Sequence, residues 1–272
     1  MNDNPPNRPL PIELATVLPG AVPFKVGNVN DTYRGQVLLS GGVVRDAVLK
    51  DLDNSQLVNE LLASALAKGS GLPTPDAYLG LVKAGEIPIT RGPLLADGNR
   101  LVFVSADVKV PNVTFQVNSA STADAKKAVV ARVVNWSKLG DLYAFDAWIA
   151  NTDRHAGNLL LSATDEVWLI DHGHSFTGPT WEPSGLTPDG EYANRLKEWV
   201  TPVLSSGQRD RRALEVSEIA KAFEVSDVAF ARSASKIDTL RSSAHGEAIE
   251  LFLRERASKV RNHATRALGM LV

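Results

Sequence analysis

Two acids and an amide recur at close spacing in the stretch 146–176, DAWIANTDRHAGNLLLSATDEVWLIDHGHSF. Asp153 and Asn158 are five residues apart, and Asp171 follows in the same stretch. Oxygen donors of this kind suit a hard cation such as Mg²⁺, which takes one or two carboxylates and leaves room for substrate phosphates. A further carboxylate that does not hold metal can orient an attacking hydroxyl and take its proton. The same stretch carries His155, His172 and His174. An H-x-H pair beside aspartates can also bind a transition metal, so a metal-dependent hydrolase is a second reading. Singly, each Asp and Asn is an ordinary turn residue; jointly, with strands between them, they make a candidate site.

The elements around these residues must bring them together. A helix is expected to end near Ala150, followed by a polar loop from Asn151 to Asn158. A strand from Leu159 to Leu161, a turn at 162–166 and a strand from Val167 to Ile170 then form a hairpin. The loop before the first strand lies beside the end of the second, which places Asp153, Asn158 and Asp171 near one another. Upstream, VPFKV, YRGQVLL and VVRDAVLK read as strands, with Gly41-Gly42 as a hairpin turn. DNSQLVNELLASALAKGSG reads as a helix capped by Asn54 or Ser55, with Leu57, Leu61, Leu62 and Leu66 as its apolar stripe. AYLGLV and RLVFVSADV are further strands. After about residue 115 the texture turns helical, with ADAKKAVVARVV, then DLYAFDAWIA capped by Asp141. A final helix over GEAIELFLRERASKVRNHATRALGML has Ile249, Phe252, Leu253, Val260, Ala264 and Leu268 on one face.

NTDRHAGNLLL followed by VWLIDHGHSF resembles the HipA-like kinases, a branch of the protein-kinase-like fold. It is also similar to the phosphoinositide lipid kinases, whose D-R-H-x-x-N and D-F-G-H patterns are met by Asp153-Arg154-His155, Asn158, Asp171, Gly173 and His174. VLKDL, NELLASALA and GLPTPDAYL, in that order, fit the HipA-like side better. The resemblance implies an α+β, two-lobed protein-kinase-like fold. A small β-rich N-lobe (12–108) would cover ATP, a larger helical C-lobe (109–272) would hold metal and acceptor, and residues 1–11 would be a loose tail. It implies that Lys50 contacts ATP phosphates and Glu60 pairs with it. Asp153 would orient or deprotonate the acceptor hydroxyl, Asn158 and Asp171 would hold Mg²⁺, and Arg154 and His155 would steady phosphate charge. Gly27 and Asn28 would open the phosphate-covering loop, Gly27 to Gly35, which lacks a G-x-G-x-x-G pattern. Val104 and Ala106, on RLVFVSADV, would offer backbone hydrogen bonds to the nucleotide base. His172 stands where D-F-G has phenylalanine. The implied activity is that of an ATP-dependent Ser/Thr protein kinase, with growth arrest and an antitoxin partner as the family's common setting. A lipid or small-molecule kinase, and a binding module that keeps the fold without turnover, are the alternatives.

Composition narrows the remaining classes. The 272 residues carry a net charge of −2, 44% hydrophobic and 22% charged residues, as in an ordinary globular protein. Nothing in that balance indicates nucleic-acid binding. There are no cysteines, so thiolate chemistry and cysteine-bound zinc are excluded. No apolar run reaches the ~18 residues of a membrane span, and MNDNPPNRPLP is not a secretory signal, so a cytoplasmic protein is expected. Trp136, Trp148, Trp168 and Trp181 read as packing residues. The cluster Arg209, Arg211 and Arg212 reads as a solvated helix start.

Overall fold

The computed structural model describes residues 11–24 and 30–271. Its architecture is α+β, strand-rich in the N-terminal region and helical beyond it. The strands are β1 (Glu13–Val17), β2 (Val22–Pro23), β3 (Thr32–Leu39), β4 (Val44–Lys50), β5 (Ala77–Val82) and β6 (Arg100–Ala106), with helix α1 (Asn54–Gly69) between β4 and β5. Because β1 pairs with β3 on one side and β5 on the other, the order β1-β5-β6-β4-β3 closes on itself. The expected β3–β4 hairpin is present, and Gly41 and Gly42 both take φ of 80°, which glycine adopts without strain.

Strand alternation divides this barrel into two faces. Val17, Val37, Leu49, Val102 and Val104 fill the interior. Gly80 faces the same space, where an added Cβ would lie 2.5 Å from Val104 Cγ2. On the outer face, Leu79 and Phe103 join the larger core formed with α1 and the helical part.

Helix α1 begins one residue earlier than expected. Asp53 is its cap and accepts from the Gln56 amide at 3.0 Å, displacing Asn54 and Ser55 from that role. The expected one-sided leucine stripe is also too narrow. Every residue from Ser55 to Ala67 is buried, Asn59 and Glu60 included. The helix is covered on one side by β5 and β6 and on the other by helices from the end of the chain.

The helical part comprises α2 (Val113–Ser119), α3 (Ala123–Asn135), α4 (Leu139–Trp148), the hairpin β7 (Leu159–Leu161) and β8 (Val167–Leu169), then α5 (Leu196–Trp199), α6 (Ser206–Glu224), α7 (Val228–Ala234), α8 (Ile237–Leu240), α9 (Ser243–Ala257) and α10 (Val260–Ala267). Helix α4 is its axis. Trp148 stacks on Phe223 with ring centroids 4.4 Å apart and donates its indole N–H to the Leu253 carbonyl at 2.9 Å. Asp141 lies in the first turn of α4, with Lys138 as the cap residue. The single final helix expected from the apolar stripe is instead two helices, although the six stripe residues are buried as expected. At the break the Ser258 hydroxyl bonds the Glu255 carbonyl, a side-chain bond that competes with continued helix. The basic cluster also differs from expectation. Arg211 is exposed, but Arg212 is 2% exposed and is paired with Glu215 at 2.7 Å. Among the described residues, no helix is long and apolar enough to cross a membrane.

A pH dependence follows from α10. Burial and the neighbouring Arg256 guanidinium lower the His263 imidazole to about 4. The unfolded chain binds a proton there near pH 6.5 while the native state refuses it. This contribution to stability is therefore complete above pH 6.5 and is lost as pH falls toward 4. Discounted for partial exposure, it is on the order of 1–2 kcal/mol. Denaturant unfolding at pH 7 and pH 4.5 should show His263→Gln losing less stability than wild type across that interval.

Candidate active site

The site forms where the outer face of β4 meets the segment after β8. Lys50 is the last residue of β4 and shares its face with Phe103, its partner across β6. The Lys50 ammonium lies 5.8 Å from the Phe103 ring centroid. It also lies 2.6 Å from Glu60 Oε1 and 3.1 Å from Asp171 Oδ1. Glu60, on α1, uses its second oxygen to accept the His172 backbone N–H at 2.9 Å. One ammonium thus joins strand, helix and the post-hairpin turn, and the ten-residue spacing of Lys50 and Glu60 is short enough to pair them.

Electrostatics keeps this trio charged at its centre. Burial alone would lower the pKa of Lys50, but the carboxylates of Asp171 and Glu60 outweigh burial and hold it above the lysine range. For Asp171, burial acts upward and the Lys50 charge prevails, holding the carboxyl below its ordinary value. Glu60 is pushed up, first by burial and also by the Asp171 charge beyond the shared ammonium. Asp171 keeps the most solvent access, with 44% of its side chain exposed. Its φ of 59° is unusual for a residue with a Cβ, though Asp tolerates it better than most.

The loop before β7 is tied to the same turn. Asn158 donates its side-chain N–H to the Asp153 carbonyl at 2.8 Å, which leaves its amide oxygen free of that bond. The Ile170 N–H reaches the Asn158 carbonyl at 3.2 Å, and the Thr152 N–H reaches the His174 carbonyl at 3.1 Å. Asp171 offers a carboxylate and Asn158 an amide oxygen, donor types that could serve a Mg²⁺ ion keeping water and phosphate ligands. Asp153 places its carboxylate 2.6 Å from Arg195 Nη1 and 3.8 Å from His155 Nε2. His155 stands beside Asp153, and its Nδ1 accepts the Gly157 N–H at 3.0 Å.

Three expectations need correction. Arg154 does not face a phosphate site. It is fully buried, bonded to Asp146 through Nε and Nη2, to the Asn158 and Ile170 carbonyls through Nη1, and to His172 Nδ1 through Nη2. Val104 is turned into the barrel, opposite to Lys50, and its backbone is paired with β4 and β5. Ala106 already donates its N–H to the Asp76 carbonyl at 2.8 Å. The residues of β6 that share the Lys50 face have the other parity, Phe103 and Ser105. Among the described residues, the N–H and carbonyl of Val108, in the linker after β6, have no protein partner. Gly27 and Asn28 lie outside the described residues.

The hydrolase reading finds no support in the geometry. His172 is buried against Arg154, and the ring meets Phe145 edge-on at 6.1 Å. Burial, then the Arg154 and Lys50 charges, hold its pKa well below the histidine range. Among the described residues, no group of three or more His, Asp and Glu side chains comes together as a metal site.

Besides Arg195, which pairs with Asp153, sequence reasoning missed two supports. Asn59, next to Glu60 on α1, donates to the carbonyls of Gly173, Ser175 and Gly178 at 2.8–3.1 Å and accepts from the Trp181 indole at 2.7 Å. Asp146, on α4, neutralises Arg154. Both lie in segments already singled out, but each reads as an ordinary polar residue on a helix that proves to be buried.

Comparison with known proteins agrees with this geometry. A family model described as HipA-like kinase matches residues 48–184, just over half of the chain. No curated protein matches it.

Proposed function

The chain belongs to the HipA-like kinase family, and on that premise we propose that it is an ATP- and Mg²⁺-dependent phosphotransferase acting on a serine or threonine hydroxyl of a protein. The reading includes a two-lobed, protein-kinase-like arrangement, with 12–108 covering the nucleotide and 109–272 receiving the acceptor. The observation that carries it is the Lys50 ammonium held between Glu60 and Asp171, since phosphoryl transfer asks the protein for positioned charge more than for covalent chemistry.

In this reading Lys50 contacts the phosphates, while Asn158 and Asp171 hold Mg²⁺. The metal supplies neutralisation of phosphate charge. Asp153 accepts the proton of the acceptor hydroxyl as its oxygen bonds to the γ-phosphorus and the bond to the β,γ-bridging oxygen breaks, releasing ADP. The Val108 backbone offers a donor and an acceptor to the base edge. His155, beside Asp153, takes the role of steadying phosphate charge, since Arg154 is buried on Asp146. The family's common setting makes growth arrest, relieved by a cognate antitoxin, the matching biological output.

Nucleotide binding has a direct readout. Mg²⁺ with ATP at about 100 times its Kd should stabilise the fold by about 2.7 kcal/mol, a Tm rise of several degrees that EDTA cancels. Transfer is tested by incubating the protein with labelled ATP, Mg²⁺ and a cell lysate, followed by mass spectrometry of phosphorylated side chains. Label on serine or threonine, absent with Asp153→Asn, supports the proposal. Label on a lipid fraction alone reassigns the acceptor, and no transfer to any acceptor, the chain itself included, overturns it.

A further inference from the structure

Arg195 lies outside the family-matched segment, immediately before α5, yet its Nη1 is 2.6 Å from Asp153 Oδ1. Its Nε is held by Glu198 Oε2 at 3.2 Å, so the guanidinium is aimed rather than free to swing. A second contact comes from the same short helix. The Trp199 indole donates to the carbonyl of Arg154, the residue after Asp153, at 3.1 Å. The helix therefore grips the loop twice at adjacent residues, once by the carboxylate and once by the backbone. On the far side of the carboxylate, Oδ2 has only His155 Nε2 nearby among the described residues, at 3.8 Å.

We infer that Arg195 is a positioning residue for phosphoryl transfer: it fixes Oδ1 of Asp153 and so presents Oδ2 to the acceptor hydroxyl. The inference rests on the functional reading above. A carboxylate on a loop turns about two side-chain torsions, and only one orientation directs a free lone pair at the incoming proton. A guanidinium on one oxygen removes that freedom before substrate arrives. A purely structural role is the weaker account. Arg195 is 40% and Asp153 29% exposed, and ion pairs with that much solvent access add little to stability. Removing the guanidinium should therefore disturb turnover far more than folding.

The test compares wild type, Arg195→Ala and Arg195→Lys, each alone and in the Asp153→Asn background. Arg195→Ala should lower kcat by about 10–100-fold, with KM for ATP and the Mg²⁺–ATP melting shift unchanged. Its own Tm should stay within about 2 °C of wild type. Arg195→Lys should recover part of the rate, because the charge returns without the fork. In the Asp153→Asn background, Arg195→Ala should remove nothing more, since the residue acts through Asp153. An active wild type with an equally active Arg195→Ala overturns this inference alone. So does a loss that is as large in the Asp153→Asn background, or one that appears as lost nucleotide binding. A wild-type protein without transfer overturns the functional reading and this inference with it.

Discussion

Asp153→Asn is expected to lower phosphoryl transfer by about 10²–10⁴-fold while leaving Mg²⁺–ATP binding intact. The two halves of this result come from different atoms of one residue. The carboxylate faces Arg195 and His155, and in the proposed reaction it takes the acceptor's proton. The backbone carbonyl receives the Asn158 amide and so positions the residue proposed to hold the metal. Asparagine keeps the backbone, the shape and an oxygen for Arg195, and it loses only the ability to accept a proton at neutral pH. Initial rates with labelled ATP measure the first half, and the melting shift with Mg²⁺ and ATP measures the second. Wild-type activity in this variant removes Asp153 from the chemistry. Loss of the melting shift instead makes it part of the nucleotide site.

Arg154→Met should be the most destabilising single change near the site, at about 3–5 kcal/mol. That corresponds to a fall in Tm of roughly 10 °C for a chain of this size. The side chain is fully buried, and so is its partner Asp146. Burial already pushes the Asp146 carboxyl above its ordinary pKa against the pull of Arg154. Without the guanidinium, that carboxylate must stay charged in an apolar setting or bind a proton at neutral pH, and both cost free energy. The Asn158 and Ile170 carbonyls lose their shared donor as well, which loosens the turn after β8 from the loop. Thermal unfolding of Arg154→Met, Asp146→Leu and the double variant decides this. The double variant should be more stable than Arg154→Met, because removing both charges avoids the unpaired one. An Arg154→Met protein as stable as wild type would show that the guanidinium is not what holds the loop to the turn.

What could be read from the chain alone was local. Asp153, Asn158 and Asp171 belong to one loop and one hairpin, and β7 and β8 form the expected hairpin, with Leu159 opposite Leu169 and Leu161 opposite Val167. Lys50 at a strand end and Glu60 on the next helix came from the family resemblance, and the consecutive elements β4 and α1 bring them to 2.6 Å. The charge that supports Asp153 was not legible. Arg195 reaches it from 42 residues away, and Asn59 holds carbonyls 114–119 residues distant. Such contacts leave no periodic trace, since they depend on how α1 and α5 dock rather than on how either forms. The facing of β6 was likewise decided by closure of the barrel. Val104 and Phe103 are equally good strand residues, and pairing with β4 and β5 alone sends valine inward and phenylalanine toward Lys50. Arg154 makes the same point with charge: the motif gives its identity, but a carboxylate on α4 draws it inside. Hairpin pairing acts between neighbours in sequence and so could be inferred from it, whereas long-range contacts and burial are properties of the assembled chain and had to be seen.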